Sequence, residues 1–262
     1  MTPTASPTPG CQESGQVLPG RFASTIAPPD LAYRIYLPPC YGRDGRVYPV
    51  LYMLPGNVHD DSIWDQLGLD EAAEAGIQDG RLPPLLIVMP DGGTIANQTS
   101  GGGYSYESVI VDELRPFIES NYCAWPEPAG RAIGGLSRGG YWSLEIAFRH
   151  PALFASVGGH SAALVDTYAG PALDPKYTAL SADLTALRIY LDAGQSDWYL
   201  SPLNILHENL LAAGKEHAWI MQEGSHDNAY WAAHVADYLT WYAAPWPLER
   251  GQLPPCEVAP GG

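Results

Sequence analysis

The chain has 262 residues, of which 46% are hydrophobic, enough for the core of one α/β domain. Asp and Glu outnumber Lys and Arg by 29 to 13, a formal net charge of −16. A surface this acidic repels phosphate backbones, which argues against nucleic acid as a partner. The sequence contains no run of about 18 apolar residues, so no membrane span is expected.

Strand and helix signals alternate along the chain, and continuous apolar runs indicate buried parallel strands. In chain order, we predict strands at 31–38 and 48–55, a helix at 67–81, a strand at 84–90, a helix at 106–122 kinked by Pro116, a strand at 131–137, a helix at 141–150, strands at 154–161 and 187–194, a helix at 201–214, a strand at 217–223 and a helix at 228–244. This alternation predicts the α/β class: a doubly wound, mostly parallel sheet flanked by helices in a single domain.

The two ends of the chain differ from its middle. Residues 1–10 read MTPTASPTPG, and alternating Pro and Thr keep a chain extended, so we interpret them as a linker. We expect residues 11–250 to form the folded domain and residues 251–262 a C-terminal tail rich in Pro and Gly. A Pro/Thr tract is typical of a tethered secreted domain. It favours an extracellular or envelope-attached protein, with a cytoplasmic protein as the alternative.

Four cysteines are present, and none forms a C-x-x-C pair, which argues against a zinc site. Three disulfide pairings are compatible with the sequence. We favour Cys11–Cys40, which flanks the first strand region, and Cys123–Cys256, which would pin the tail to the domain. Four free buried thiols are the alternative.

Ser137 is the candidate nucleophile. It is the central residue of Gly135-Leu136-Ser137-Arg138-Gly139, a G-x-S-x-G pattern between a predicted strand and a predicted helix. That context is the one a nucleophile elbow requires, because glycines permit a tight turn and the helix N-terminus favours negative charge. A serine hydroxyl is a weak nucleophile, so a base must take its proton.

His226 and Asp197 are the candidate base and acid. Among seven histidines, His226 stands between the last predicted strand and the last predicted helix. Asp197 follows the strand at 187–194, whereas Asp192 still belongs to the strand pattern. The chain order Ser, Asp, His is that of α/β-hydrolases.

Six segments are distinctive: "IYLPPCY", "YPVLYMLPG", "IVMPDGG", "GGLSRGG", "DAGQSDW" and "GSHDNAYW". Through them, over about residues 15 to 245, the chain resembles the esterase D and feruloyl esterase-like α/β-hydrolases, a family related to carbohydrate esterase family 1 and the mycolyltransferase antigens. The resemblance implies a serine esterase that acts through an acyl-enzyme without metal or cofactor. It also implies an oxyanion hole formed by the backbone N–H groups of Asn57 and Arg138. Relatives commonly have Leu-His-Gly where this chain has Leu54-Pro55-Gly56, which puts the geometry at Asn57 in question.

Four aromatic side chains adjoin the candidate catalytic segments and are candidate substrate contacts: Trp64, Tyr104, Trp198 and Trp231. They would form a wall for a phenolic acid or a sugar; packing of the loops is the other interpretation.

The function expected from these features is a secreted carboxylic ester hydrolase acting on a small-molecule or polysaccharide-linked ester. Feruloyl or acetyl esters of plant polysaccharide are the leading substrates. An acyltransferase on the same fold and a non-catalytic binding module are the alternatives. The sequence leaves the oligomeric state open.

Overall fold

The computed structural model describes residues 13–27 and 30–258. These residues form eight strands: β1 (Gln16–Ala23), β2 (Asp30–Leu37), β3 (Val50–Leu54), β4 (Leu86–Pro90), β5 (Arg131–Leu136), β6 (Ser156–His160), β7 (Arg188–Gly194) and β8 (Ala218–Gln222). They form one sheet in the order β1-β2-β4-β3-β5-β6-β7-β8. β2 is antiparallel to β1 and β4, and all pairs from β4 to β8 are parallel.

The helices of the described residues cover both faces of this sheet. They are α1 (Ile63–Gln66), α2 (Leu69–Gln78), α3 (Gly93–Gln98), α4 (Tyr106–Ser108), α5 (Arg115–Asn121), α6 (Arg138–Arg149), α7 (Pro175–Ser181), α8 (Leu200–Ala212) and α9 (Asn228–Ala243). One apolar cluster joins α5, α6 and α8 to one face, and a second joins α2 and α9 to the other. Because both faces are covered, the central strands β3, β4 and β5 are buried at every position. The predicted fold class is confirmed.

Most element boundaries lie one to three residues from those predicted, and some elements were not predicted. Helix α6 begins at Arg138 rather than at 141, so it starts directly after Ser137. We predicted a helix kink at Pro116. The structure has a π-helical turn at Val109–Leu114, just before this proline. A widened turn of this kind accommodates a residue that cannot donate a backbone hydrogen bond. Strand β1 and helices α1, α3 and α7 were not predicted.

The C-terminal segment is fastened to the domain as far as residue 258. Cys256 forms a disulfide with Cys123, as favoured from the sequence. Pro255 pairs with Arg46 in an isolated β-bridge. Cys40 is also disulfide-bonded, but its expected partner, Cys11, lies outside the described residues, as does the predicted linker 1–10.

Candidate active site

Ser137 lies at the sharp turn between β5 and α6. Its φ of 55° and ψ of −116° lie outside the regions that residues with a side chain normally adopt. The flanking glycines explain how the turn closes. A Cβ at Gly135 would lie 2.9 Å from Gly139 Cα, and a Cβ at Gly139 would lie 2.6 Å from the carbonyl oxygen of Pro55. Neither site therefore has room for a side chain.

The structure brings Ser137, His226 and Asp197 together in one hydrogen-bonded row. His226 Nε2 lies 2.9 Å from Ser137 Oγ, and His226 Nδ1 lies 3.0 Å from Asp197 Oδ2. All three side chains are largely buried. Asp192, the other carboxylate considered, lies within β7 and contacts a different histidine, His160, at 2.7 Å.

The two candidate oxyanion donors belong to segments that meet at Ser137. Arg138 is the first residue of α6, and the first N–H groups of a helix have no partner within it. Asn57 lies in the turn after β3, which is closed by a hydrogen bond from the His59 N–H to the Gly56 carbonyl. A Cβ at Gly56 would lie only 3.4 Å from Ser137 Cβ, so this turn packs directly against the serine. The preceding Pro55 is therefore compatible with a close approach of the turn to the serine.

The Arg138 side chain ties the Gly-rich segment 92–108 to the nucleophile turn. Its guanidinium is buried and donates to the carbonyl of Ala96 at 3.1 Å and to Ser100 Oγ at 3.2 Å. It lies between the rings of Tyr141 and Tyr168, 4.4 and 4.2 Å from their centroids. Helix α3 lies within this segment.

Two buried carboxyl groups lie where this segment packs against α6: Glu107 within the segment and Glu145 on α6. Burial raises the pKa of Glu107, but hydrogen bonds from His150 and Arg149 outweigh that effect and bring the pKa to about 2. Glu107 also accepts the Gly102 N–H. Burial, together with the neighbouring charge of Glu107, raises the pKa of Glu145 to about 9. Glu145 is therefore neutral at pH 7 beside an ionised Glu107.

The candidate substrate contacts fall into two groups, and the first group is buried. Trp64 is completely buried, and its indole N–H donates to the Leu54 carbonyl at 3.0 Å. The prediction that Trp64 contacts the substrate is therefore wrong, because its apolar ring fills the core behind the turn. Trp231 is 2% exposed, with its ring 5.0 Å from that of His226, where it supports the histidine.

The second group, Trp198 and Tyr104, is exposed. Trp198 is 72% exposed with its ring 5.1 Å from that of His226, and Tyr104 is 70% exposed in the Gly-rich segment. Tyr199, next to Trp198 in the chain, also has its ring 4.8 Å from that of His226. Tyr168 stacks on Arg138, and nothing in the sequence of its loop indicated a place in the site.

Residues 13–27 and 30–258 contain no group of three or more His, Cys, Asp or Glu side chains arranged to hold a metal ion. Within the same ranges, every helix is too short or too polar to cross a membrane.

The sheet order and the position of Ser137 define the α/β-hydrolase fold. Residues 24–242 match the model of the family described as "Putative esterase", and the chain belongs to that family.

Relatives with similar sequence carry esterase names. An esterase of Mycobacterium tuberculosis is 34% identical over 148 residues, which are 54% of this chain and 31% of the relative. An endo-1,4-beta-xylanase/feruloyl esterase of Xylanibacter ruminicola is 33% identical over 141 residues, 47% of this chain and 18% of the relative. The chain thus spans about a third or less of the length of these relatives.

Solved structures agree with the fold over most of the chain. A ferulic acid esterase superposes with a TM-score of 0.81 at 22% identity, covering 89% of this chain and all of that chain. A carbohydrate esterase family 1 ferulic acid esterase from Anaeromyces mucronatus, in complex with ferulic acid, gives a TM-score of 0.73 at 20% identity, covering 93% and 96% of the two chains. At these identities the likeness establishes the fold alone.

Proposed function

We propose that the protein is a serine carboxylic ester hydrolase that works through an acyl-enzyme. The observation that carries the proposal is the row of hydrogen bonds at the strained turn, 2.9 Å from Ser137 Oγ to His226 Nε2 and 3.0 Å from His226 Nδ1 to Asp197 Oδ2. Membership of the esterase family supports it.

The mechanism follows from the roles that these atoms fit. Neutral His226 accepts the Ser137 hydroxyl proton at Nε2 while Oγ attacks the ester carbonyl carbon. The Asp197 carboxylate accepts a hydrogen bond from the Nδ1–H of His226, which selects this tautomer and stabilises the imidazolium. The backbone N–H groups of Asn57 and Arg138 hold the oxyanion. His226 then protonates the leaving alkoxide and becomes neutral again. In the second half, His226 deprotonates a water as it attacks the acyl carbon, and returns that proton to Ser137 Oγ as the acid leaves.

The substrates we propose are feruloyl or acetyl esters linked to plant polysaccharide. The exposed ring of Trp198 and the neighbouring Tyr199 offer flat apolar surface beside His226, which suits a phenolic ring. Tyr104 provides a second exposed ring. Names of relatives and of superposable structures include feruloyl and ferulic acid esterases.

We propose an extracellular or envelope-attached location. The Cys123–Cys256 disulfide supports it, because disulfides persist in oxidising compartments. The net charge of −16 remains the argument against nucleic acid as a partner.

The test of the reaction is hydrolysis of p-nitrophenyl acetate and methyl ferulate by the wild type and by Ser137→Ala. We expect the variant to lose at least about a thousandfold in kcat. Ser143→Ala is the matched control, because Ser143 is a buried serine of α6 that donates to the Gly158 carbonyl at 2.7 Å and has no contact with His226. A Ser137→Ala variant as active as the control would refute the proposal.

A second pair of measurements tests the substrate and the type of reaction. Trp198→Ala is expected to lower kcat/KM about tenfold for methyl ferulate and less than twofold for p-nitrophenyl acetate, because an acetyl group is too small to stack. Equal losses on both esters would exclude Trp198 as a phenol contact. Mass spectrometry with a sugar acceptor present separates hydrolysis from acyl transfer, and we expect free acid only.

A further inference from the structure

A second His–Asp pair lies buried behind the candidate active site. His160, at the end of β6, and Asp192, in β7, are 0% and 1% exposed, and His160 Nδ1 lies 2.7 Å from Asp192 Oδ1. The geometry repeats that of His226 and Asp197, but the other ring nitrogen of His160 faces the Tyr242 hydroxyl at 3.0 Å. The pair therefore activates no nucleophile, and its burial requires another explanation.

The second oxygen of the Asp192 carboxylate is also engaged. Asp192 Oδ2 accepts the Tyr230 hydroxyl at 3.0 Å and the Tyr238 hydroxyl at 2.8 Å, both from α9. Burial raises the pKa of each tyrosine well above its ordinary value, and the charge of Asp192 raises it further. Both hydroxyls thus stay protonated as donors. The Tyr238 ring also stacks on His160, with centroids 3.7 Å apart.

One end of this network touches the nucleophile. The backbone N–H of Ser137 donates to the His160 carbonyl at 2.9 Å. Ser161, which follows His160 in the chain, donates its N–H to the Asp192 carbonyl at 2.8 Å. The position of the strained turn therefore depends on where β6 and β7 hold His160.

The other end of the network reaches the segment that carries His226. Tyr230 lies in the first turn of α9, and its N–H donates to the helix-capping Asp227 carboxylate at 3.0 Å. Asp227 directly follows His226 in the chain. Tyr238 lies eight residues further along α9, which corresponds to about 12 Å of helix.

We propose that Asp192 is a positioning residue that sets the distance between Ser137 and His226, acting through His160 on one side and Tyr230 on the other. The inference rests on the proposed function. It explains why both carboxylate oxygens of a buried Asp are used, and why one of its donors stands next to the histidine segment. A displacement of about 1 Å between reacting groups lowers the rate about a hundredfold, so this anchoring matters for catalysis.

Tyr230→Phe and Tyr238→Phe test the proposal as a matched pair. Each variant removes one hydroxyl from the same Asp192 oxygen and keeps its ring. We expect similar losses in Tm from both. We expect kcat for p-nitrophenyl acetate to be at least about fivefold lower in Tyr230→Phe than in Tyr238→Phe, with KM within about twofold. Labelling of Ser137 by a fluorophosphonate probe should slow in the same ratio.

The result that overturns the proposal is an equal kcat in the two variants at comparable loss of Tm, because Asp192 would then only stabilise the fold. Assays are run well below the lower of the two Tm values, so partial unfolding cannot mimic a catalytic loss. Ser137→Ala is measured alongside. If it keeps the wild-type rate, the proposed function fails; if it is inactive and the tyrosine variants match, only the positioning role fails.

Discussion

Replacing Glu145 by Gln should stabilise the protein at neutral pH. Glu145 is a fully buried side chain of α6. Burial and the charge of Glu107 raise its pKa from the ordinary 4.5 to about 9, although Arg149 lies 3.2 Å away and opposes the shift. At pH 7 the folded protein therefore holds a proton on Glu145 that the unfolded chain has released.

The magnitude follows from linkage between proton binding and folding. Between about pH 4.5 and pH 9 the folded state binds the extra proton, so the free energy of unfolding falls as pH rises. Each pKa unit corresponds to 1.36 kcal/mol, so at pH 7 the cost is about 3 kcal/mol. Gln is uncharged in both states and lacks this cost. We expect Glu145→Gln to be about 3 kcal/mol more stable than the wild type at pH 7, and equally stable at pH 4.

Urea unfolding at pH 4, 7 and 9 measures this difference directly. The gap between Glu145→Gln and the wild type should widen steadily with pH, whereas Glu216→Gln, an exposed control, should follow the wild type. A gap that does not change with pH, or a variant that is less stable at pH 7, would refute the assignment of a neutral buried Glu145.

Three further predictions concern the turn and the tail. Gly139→Ala should abolish esterase activity and lower Tm, because the added Cβ would lie 2.6 Å from the Leu54 carbonyl carbon; an active, stable variant would show that the turn can relax. Trp64→Phe should cost about 1–3 kcal/mol in urea unfolding, because the Leu54 carbonyl loses its buried donor. Replacing Cys123 and Cys256 by Ala should cost about 5 kcal/mol by loop-closure entropy across 133 residues. The kcat of this double variant should not change. A lower kcat in a variant that is fully folded would show that the disulfide affects the active site.

The sequence was informative where one physical requirement dominates. Strands buried on both faces must be apolar throughout, so β3 and β4 were recognisable from composition alone. The positions of Ser137, Asp197 and His226 follow from the order of strands and loops, because the carboxyl ends of parallel strands meet at one edge of the sheet.

The features that were missed depend on contacts between distant segments. Strand β1 contains Pro19 and Gly20, two residues that make a strand hard to recognise from sequence. The sheet tolerates the proline because β1 is an edge strand. Trp64 stands near the oxyanion turn in sequence, but the core behind that turn takes its ring. The sequence shows that a residue is aromatic, but it does not show whether the ring faces the core or a cleft.

The disulfide between Cys123 and Cys256 has a mechanical consequence. A pulling force applied to the chain on either side of this bond passes directly across it, and the 133-residue span that it closes carries no load. That span includes Ser137, Asp197 and His226 and amounts to roughly 450 Å of extended chain. Under tension, β5 to β8 would stay within a covalent ring, whereas β3 and β4, which lie outside it between Cys40 and Cys123, would bear the force.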